Sequence, residues 1–154
     1  MCHDGVLLFR DYCDRIVRYE GGDSEWIRIP RCQCNNKRCG RIHRMLPDFL
    51  APFKHYPEPV ISDVLDGGID PADVDDCPSA QSAKRWGQWL MKNKRNIDGY
   101  LKSVAHRELD FSEELLKSGV SLLGKLRSSI PGGWLRTILR IIYNSGGFLE
   151  PFYP

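Results

Sequence analysis

Cys34-Asn35-Asn36-Lys37-Arg38-Cys39-Gly40 is the stretch of this chain whose residue types and spacing most directly imply chemistry. Two thiolates separated by four residues, with Asn-Asn and a glycine to tighten the turn, can grip one face of a tetrahedral zinc ion. Backbone amides in such a loop point at the sulfurs, and nearby arginines lower the cost of holding thiolate charge. A zinc ribbon needs a second knuckle. The sequence offers Cys2, in Cys2-His3-Asp4-Gly5, which reads as the second half of a Cys-x-x-Cys-x-x-Gly knuckle whose first half is absent. The expected ligands of a structural zinc are therefore Cys2, Cys34 and Cys39, with His3, Cys32 or His43 as candidates for the fourth. Cys32, two residues before Cys34, is expected on the opposite strand face and ranks below the others. Cys13 and Cys77 are expected to be ordinary thiols.

A second chemistry is suggested by charge placement. The formal net charge is only +2, but the charges are segregated. Arg28 to Arg44 holds six basic residues and no acid, Pro57 to Ala83 holds seven acids and no Lys or Arg, and Lys84 to Arg107 holds seven basic residues against Asp98 alone. A near-neutral protein can present a phosphate-binding face in this way, although chance clustering on a solvated surface looks the same. In the helix expected from Ser79 to Met91, Ala83, Trp86 and Leu90 would pack inward. Gln81, Ser82, Lys84, Arg85 and Gln88 would then face outward, as the polar residues of a DNA recognition helix do. Gln pairs with adenine and Arg with guanine, while Lys more often meets phosphate. Arg38, Arg41 and Arg44 of the first basic block are the further candidates for DNA contact.

The elements that must hold these residues can be read in outline. Val6–Phe9 and Arg15–Tyr19 are expected as strands flanking a polar link, Glu20–Asp23 as a turn, and Trp26–Ile29 as a strand leaving it. This hairpin-rich part is poor in core residues, and a bound metal is the usual staple for such a part. Met45–Phe53 is apolar but interrupted by Pro47 and Pro52, so it should run extended over another surface. Pro59–Leu65 reads as a short helix stopped by Gly67-Gly68, and Ser79 as the cap of the next. Asp110 and Glu113 suggest a capping box ahead of Leu115, Leu116, Val120, Leu123 and Leu126. Trp134–Tyr143 reads as a last helix ended by Gly146-Gly147, serving as a core helix ahead of an oligomerisation or membrane-surface role. It is too short to span a bilayer and carries Arg136 and Arg140.

The run Arg31-Cys32-Gln33-Cys34 to Cys39-Gly40-Arg41-Ile42-His43-Arg44-Met45-Leu46-Pro47-Asp48, continuing through Pro52-Phe53-Lys54-His55-Tyr56, resembles the signature of a largely uncharacterised bacterial family. Its members pair an N-terminal zinc ribbon with a helix-turn-helix and are often associated with transposases. The similarity continues through Val60–Gly67 and Ser82–Trp89, covers nearly the first hundred residues, and reaches Trp134–Asn144 more loosely. The resemblance implies that Cys2, Cys34 and Cys39 occupy zinc-ligand positions. The family's first cysteine has no counterpart here.

Catalysis is not expected. The residues after the second helix read as helices with no parallel strand, Asp63 and Asp66 lie together in one short segment, and His43 and His106 have no nucleophile in a motif context. Gly132-Gly133 and Gly146-Gly147 read as helix punctuation, not phosphate loops. Six cysteines without a secretory signal point to metal ligands or free thiols, so a cytoplasmic protein is expected, with no membrane partner.

The expected fold class is α+β: a small N-terminal β-hairpin zinc ribbon, truncated at its start, followed by an all-α part that is first helix-turn-helix-like. The expected divisions are 1–46, 47–95 and 96–154. The expected function is DNA binding in, or in regulation of, transposition, with double-stranded DNA as partner and a transposase or a second copy as further partners. The alternative is an interaction adaptor with a structural zinc knuckle and a C-terminal oligomerisation helix.

Overall fold

The computed structural model describes residues 2, 4–70, 78–108, 112, 114 and 119–152. Three strands, β1 (Leu7–Arg18), β2 (Ser24–Cys34) and β3 (Ile42–Arg44), form an antiparallel sheet in the order β1-β2-β3. Four helices follow among the described residues: α1 (Glu58–Asp66), α2 (Ala80–Glu108), α3 (Leu122–Ser129) and α4 (Trp134–Asn144). The fold is α+β, with the sheet first and the helices after it.

The β1–β2 turn lies where the glycines require it. Gly21 and Gly22 take φ of +83° and +85°, and Tyr19 N–H donates to the Asp23 carbonyl at 2.8 Å. The polar link expected between two short strands is instead part of one strand of 12 residues. Polar side chains do not interrupt a ribbon whose faces are largely solvated. The only irregularity in the β1–β2 pairing is a bulge at Arg10, between Phe9 opposite Cys32 and Asp11 opposite Arg31. Asp11 is then fixed across the strands by Arg31, whose Nε donates to it at 2.6 Å.

The sheet has little core of its own: Val17 and Ile29 are the buried aliphatic residues on it. Both lie on the face that meets residues 45–57, which do not run extended as expected but turn twice, Leu50 N–H returning to the Pro47 carbonyl and Lys54 N–H to the Ala51 carbonyl, so that Leu50 pairs back antiparallel with Pro57. Arg15 donates to the carbonyl oxygens of Ala51 (2.9 Å) and Lys54, Arg18 N–H to the His55 carbonyl (2.9 Å), and Met45 N–H to the Pro30 carbonyl (2.9 Å).

The helical part holds the larger core, with Ile61, Trp86, Trp89, Ile97, Leu101, Leu126, Trp134, Leu135, Ile138 and Ile142 all buried. The helix α1 ends as expected at Gly67, which is left-handed at φ +78°, with Gly68 N–H returning to the Asp63 carbonyl at 2.8 Å. Ser79 caps α2 by accepting from Ser82 N–H at 3.3 Å. Beyond that cap α2 differs from expectation. It continues past Met91 to 29 residues, about 43 Å at 1.5 Å per residue. Its buried stripe carries on through Asn93, Ile97, Leu101 and Val104. Asn93 is tolerated inside because its amide is satisfied twice over by the C-terminal tail: Nδ2 donates to the Glu150 carbonyl (3.0 Å) and Oδ1 accepts from Glu150 N–H (2.8 Å).

Asp98, the isolated acid of the second basic block, caps α3. Its Oδ1 accepts from Leu123 N–H at 2.9 Å while Lys94 pairs with it at 3.1 Å. All six of Trp134, Leu135, Ile138, Leu139, Ile141 and Ile142 in α4 are buried, so the last helix is a core helix. Its N-terminus is met by Glu58, which is fully buried and accepts from Arg136 N–H at 3.1 Å. Asp66, at the end of α1, accepts from Trp134 Nε1 (2.7 Å) and Arg127 Nε (2.9 Å), tying α1 to α3 and α4. The connection from α1 to α2 spans residues 67–79, longer than the three or four residues of a compact helix-turn-helix. The expected capping box Asp110–Glu113, with Leu115 and Leu116, lies outside the described residues. No helix is long and apolar enough to cross a membrane among the described residues.

Candidate metal centre and basic helix face

Cys34 ends β2, and the seven residues after it form a loop held from within. Asn36 organises it: its Oδ1 accepts from Arg38 N–H at 2.9 Å, and its carbonyl accepts from both Cys39 N–H and Gly40 N–H at 2.9 Å. Gly40 takes φ of +56°, and Cys34 N–H closes the loop on the Arg41 carbonyl at 2.9 Å. This arrangement returns Cys39 toward Cys34.

The N-terminal segment brings the third thiol. Val6 N–H donates to Asn35 Oδ1 at 2.9 Å and Asn35 N–H to the Val6 carbonyl at 3.0 Å, docking the segment on the loop. Gly5 then passes directly over Cys34: a Cβ at this position would fall 2.2 Å from Cys34 Sγ. Only a residue without a side chain lets the segment descend this far. Cys2 arrives with its sulfur accepting from Asn36 Nδ2 at 3.3 Å. The sulfurs of Cys2, Cys34 and Cys39 all lie within 4.8 Å of one another, with Cys34 buried and the other two half-buried.

The electrostatics of the three thiols are uneven. The Asp4 backbone N–H, aimed at Cys2, is the main cause that lowers its pKa, and the Cys34, Cys39 and Asn36 side chains add to it against partial burial. Cys34 receives a backbone hydrogen bond at Asn36 that favours its thiolate, but burial and the two neighbouring thiols outweigh it and push the group up. The thiolate form is therefore favoured at Cys2 relative to Cys34. The three cysteines are close enough together to hold one metal ion, and they offer soft sulfur donors supported by donors aimed at the sulfurs. A tetrahedral set at about 2.3 Å from a central ion needs sulfurs about 3.8 Å apart, which lies inside the 4.8 Å limit of this cluster.

The candidates for a fourth ligand fare differently. His3 lies outside the described residues, as does Cys77. Cys32 and His43 face each other across β2 and β3 and are not in the group of three. The expectation that Cys32 points to the opposite strand face is corrected here. Residues two apart on a strand share a face, so Cys32 lies on the Cys34 side, and its distance along the strand, not its direction, separates it from the cluster.

Four of the five recognition residues expected on α2 share one surface, and Ser82, turned toward the side of Trp86 and Trp89, lies off it. Gln81, Lys84, Arg85 and Gln88 are exposed and Ser82 half-buried, while Trp86, Trp89 and Leu90 are buried behind them. The surface expected from the sequence ends at Gln88. Lys92, Arg95 and Lys102 are also exposed and continue the same stripe at helical steps, a continuation that was hidden once the helix was expected to end at Met91. Lys92 pairs with Glu150 at 3.1 Å. The structure places Arg38 and Arg41 on the knuckle loop and Arg44 on β3, all exposed, apart from the helical core that carries α2. Asp73, Asp75 and Asp76 of the acidic stretch lie outside the described residues.

Residues 1–86, more than half of the chain, match a family model described as a domain of unknown function, DUF6431. The chain belongs to the DUF6431 family. No curated protein and no solved structure matches it. The DUF6431 region takes in the sheet, the three clustered cysteines, the 45–57 segment, α1 and the first turns of α2 as far as Trp86. Gln81, Ser82, Lys84 and Arg85 are inside it, and Gln88 and the rest of the basic stripe lie beyond it.

Proposed function

We propose that this DUF6431 protein is a non-enzymatic binder of double-stranded DNA that reads the duplex with the exposed face of α2. The observation that carries the reading is the division of that helix. Gln81, Lys84, Arg85 and Gln88 stand clear on one side, over a floor of Trp86, Trp89 and Leu90 that fixes the helix against α1 and the core. Side chains able to pair with bases and to meet phosphate are thus offered by a rigid element. Glu150 meets this stripe at Lys92, and Asp98 is engaged at the start of α3 and with Lys94.

In this reading Cys2, Cys34 and Cys39 hold a structural zinc. The metal would supply the cross-link that a sheet with two buried aliphatic residues lacks. The resemblance of the 31–56 run to a transposase-associated family supports a role in, or in regulation of, transposition. An adaptor that self-associates through Trp134–Tyr143 has less to draw on, since the apolar residues of that helix are buried within the chain.

The test is a duplex titration of the parent and of a Lys84→Ala/Arg85→Ala protein over a range of salt. Loss of the Lys84 phosphate contact and the Arg85 base contact would weaken binding, and the first would flatten the dependence of log affinity on log salt by about 0.9. A double variant that binds duplex as the parent does, at every salt concentration, removes α2 as the reader.

A further inference from the structure

The two faces of the sheet differ in character. One carries Val17 and Ile29 and lies against the 45–57 segment. The other carries three exposed aromatic rings: Phe9 is 60% exposed, Tyr12 53% and Trp26 70%. The bulge at Arg10 makes this face what it is. It shifts the strand phase by one residue, so that Phe9, opposite Cys32, and Tyr12, opposite Pro30, come to the same side. Their rings meet edge to face at 5.1 Å, and the Arg28 guanidinium lies over Tyr12 at 5.6 Å from its centroid.

Aromatic rings in this number, left in water beside a helical core that is already filled, mark a binding surface. Their surroundings indicate the ligand. Arg18 and Arg28 stand on this face against Asp14 as the one strand carboxylate on it, and Arg10 projects from the bulge. The loop at its far end adds Lys37, Arg38 and Arg41 with no acid among them. Flat rings interleaved with guanidinium groups suit a ligand that is itself flat-faced and anionic. An apolar protein partner would have to desolvate these arginines without compensation.

We propose that this face is a stacking platform for the unpaired bases of single-stranded nucleic acid, with the neighbouring arginines tracking its phosphates. The proposal goes beyond duplex reading by α2 and rests on different elements.

Trp26 provides the readout. The other three tryptophans, Trp86, Trp89 and Trp134, are 5%, 3% and 0% exposed, so a contact quench of tryptophan emission reports Trp26. A single-stranded oligothymidylate titrated into the full chain should quench that emission, and Trp26→Phe should abolish the quench. Tyr12→Ala should weaken strand binding, followed by anisotropy of a labelled oligonucleotide, about fivefold or more, the low end of what one base–aromatic stack contributes. An abasic strand of equal charge should bind more weakly than the oligothymidylate and leave Trp26 unquenched. Equal binding of the abasic strand would reduce the site to phosphate attraction and overturn the proposal. So would an unquenched Trp26, or light scattering that shows a dimer lost in Trp26→Ser, which would assign the face to a second copy. Duplex reading is tested on α2 and base stacking on Trp26, so each can fail without the other.

Discussion

Gly5→Ala is the sharpest single perturbation of the cysteine cluster. The added Cβ would stand 2.2 Å from Cys34 Sγ and 3.1 Å from the Asn36 Cβ, where ordinary contact begins at 3.4 Å. About 1.2 Å must be found, and packed interiors have little such space to give. Cys34 is fixed at the end of β2 by its hydrogen bond to Arg41, and Asn36 by the bonds it makes within the loop. The N-terminal segment is therefore what yields, and Cys2 moves with it. Metal–sulfur distances tolerate only about 0.2 Å, so a lift of this size takes Cys2 out of bonding range. Overpacking of this kind costs about 1–3 kcal/mol, which corresponds to metal affinity roughly fivefold to more than a hundredfold weaker. A cobalt titration that follows the thiolate-to-metal charge-transfer band, with zinc as competitor, measures it directly. Gly40→Ala is the comparison. Its Cβ would meet nothing within 4 Å, but its backbone sits at φ +56°, so the cost is the left-handed penalty of about 1 kcal/mol. Gly5→Ala should be the more damaging of the two. If it binds cobalt as tightly as the parent, the segment does not cross Cys34 in this way and Cys2 is not a ligand.

Two further outcomes concern the helical core. Burial holds the Glu58 carboxyl above its ordinary range despite Arg136, so the fold prefers its neutral form. Its contribution to stability is complete below the unfolded value near 4.5 and falls as pH rises through the higher folded value. Denaturant unfolding of the parent between neutral pH and pH 4.5 should therefore show a gain on acidification that Glu58→Gln lacks, and identical pH slopes would refute this. Asp98→Ala removes the acceptor of Leu123 N–H in the first turn of α3 and leaves Lys94 unpaired, and should cost about 1 kcal/mol in a urea melt. An unchanged midpoint would mean that Ser121, whose Oγ accepts from Gly124 N–H at 3.4 Å, suffices as the cap.

The parts of this molecule that were legible in the sequence are those set by local chemistry. The Cys34–Cys39 spacing, the Gly21-Gly22 turn, the Gly67 stop and the Ser79 cap each depend on a few adjacent residues, and each stands where expected. What escaped depends on partners far away in the chain. Asn93 looks like the end of an apolar stripe until Glu150 is seen to satisfy it, and for that reason α2 reads as less than half its length. The Arg10 bulge has no marker in the alternation of residue types, yet it alone brings Phe9 and Tyr12, three residues apart, to one face. Gly5 has no reason to be glycine until Cys34 is found beneath it. The identity of the third thiol was legible, whereas its proximity to the other two was a matter of tertiary structure.

The scarcity of buried aliphatic side chains on the sheet has a thermodynamic corollary. If a ligand of the three thiols binds only the folded sheet, the folded population becomes a function of that ligand's free concentration and not a fixed property of the chain. Each tenfold rise in free ligand above its dissociation constant would deepen the folded basin by about 1.4 kcal/mol, while the tryptophan-rich helical core is held by its own packing. The two ends of the chain would then obey different laws: one saturable and set by supply, the other intrinsic. Arg28, Tyr12 and Trp26 are displayed by the first, and Lys84 and Arg85 by the second.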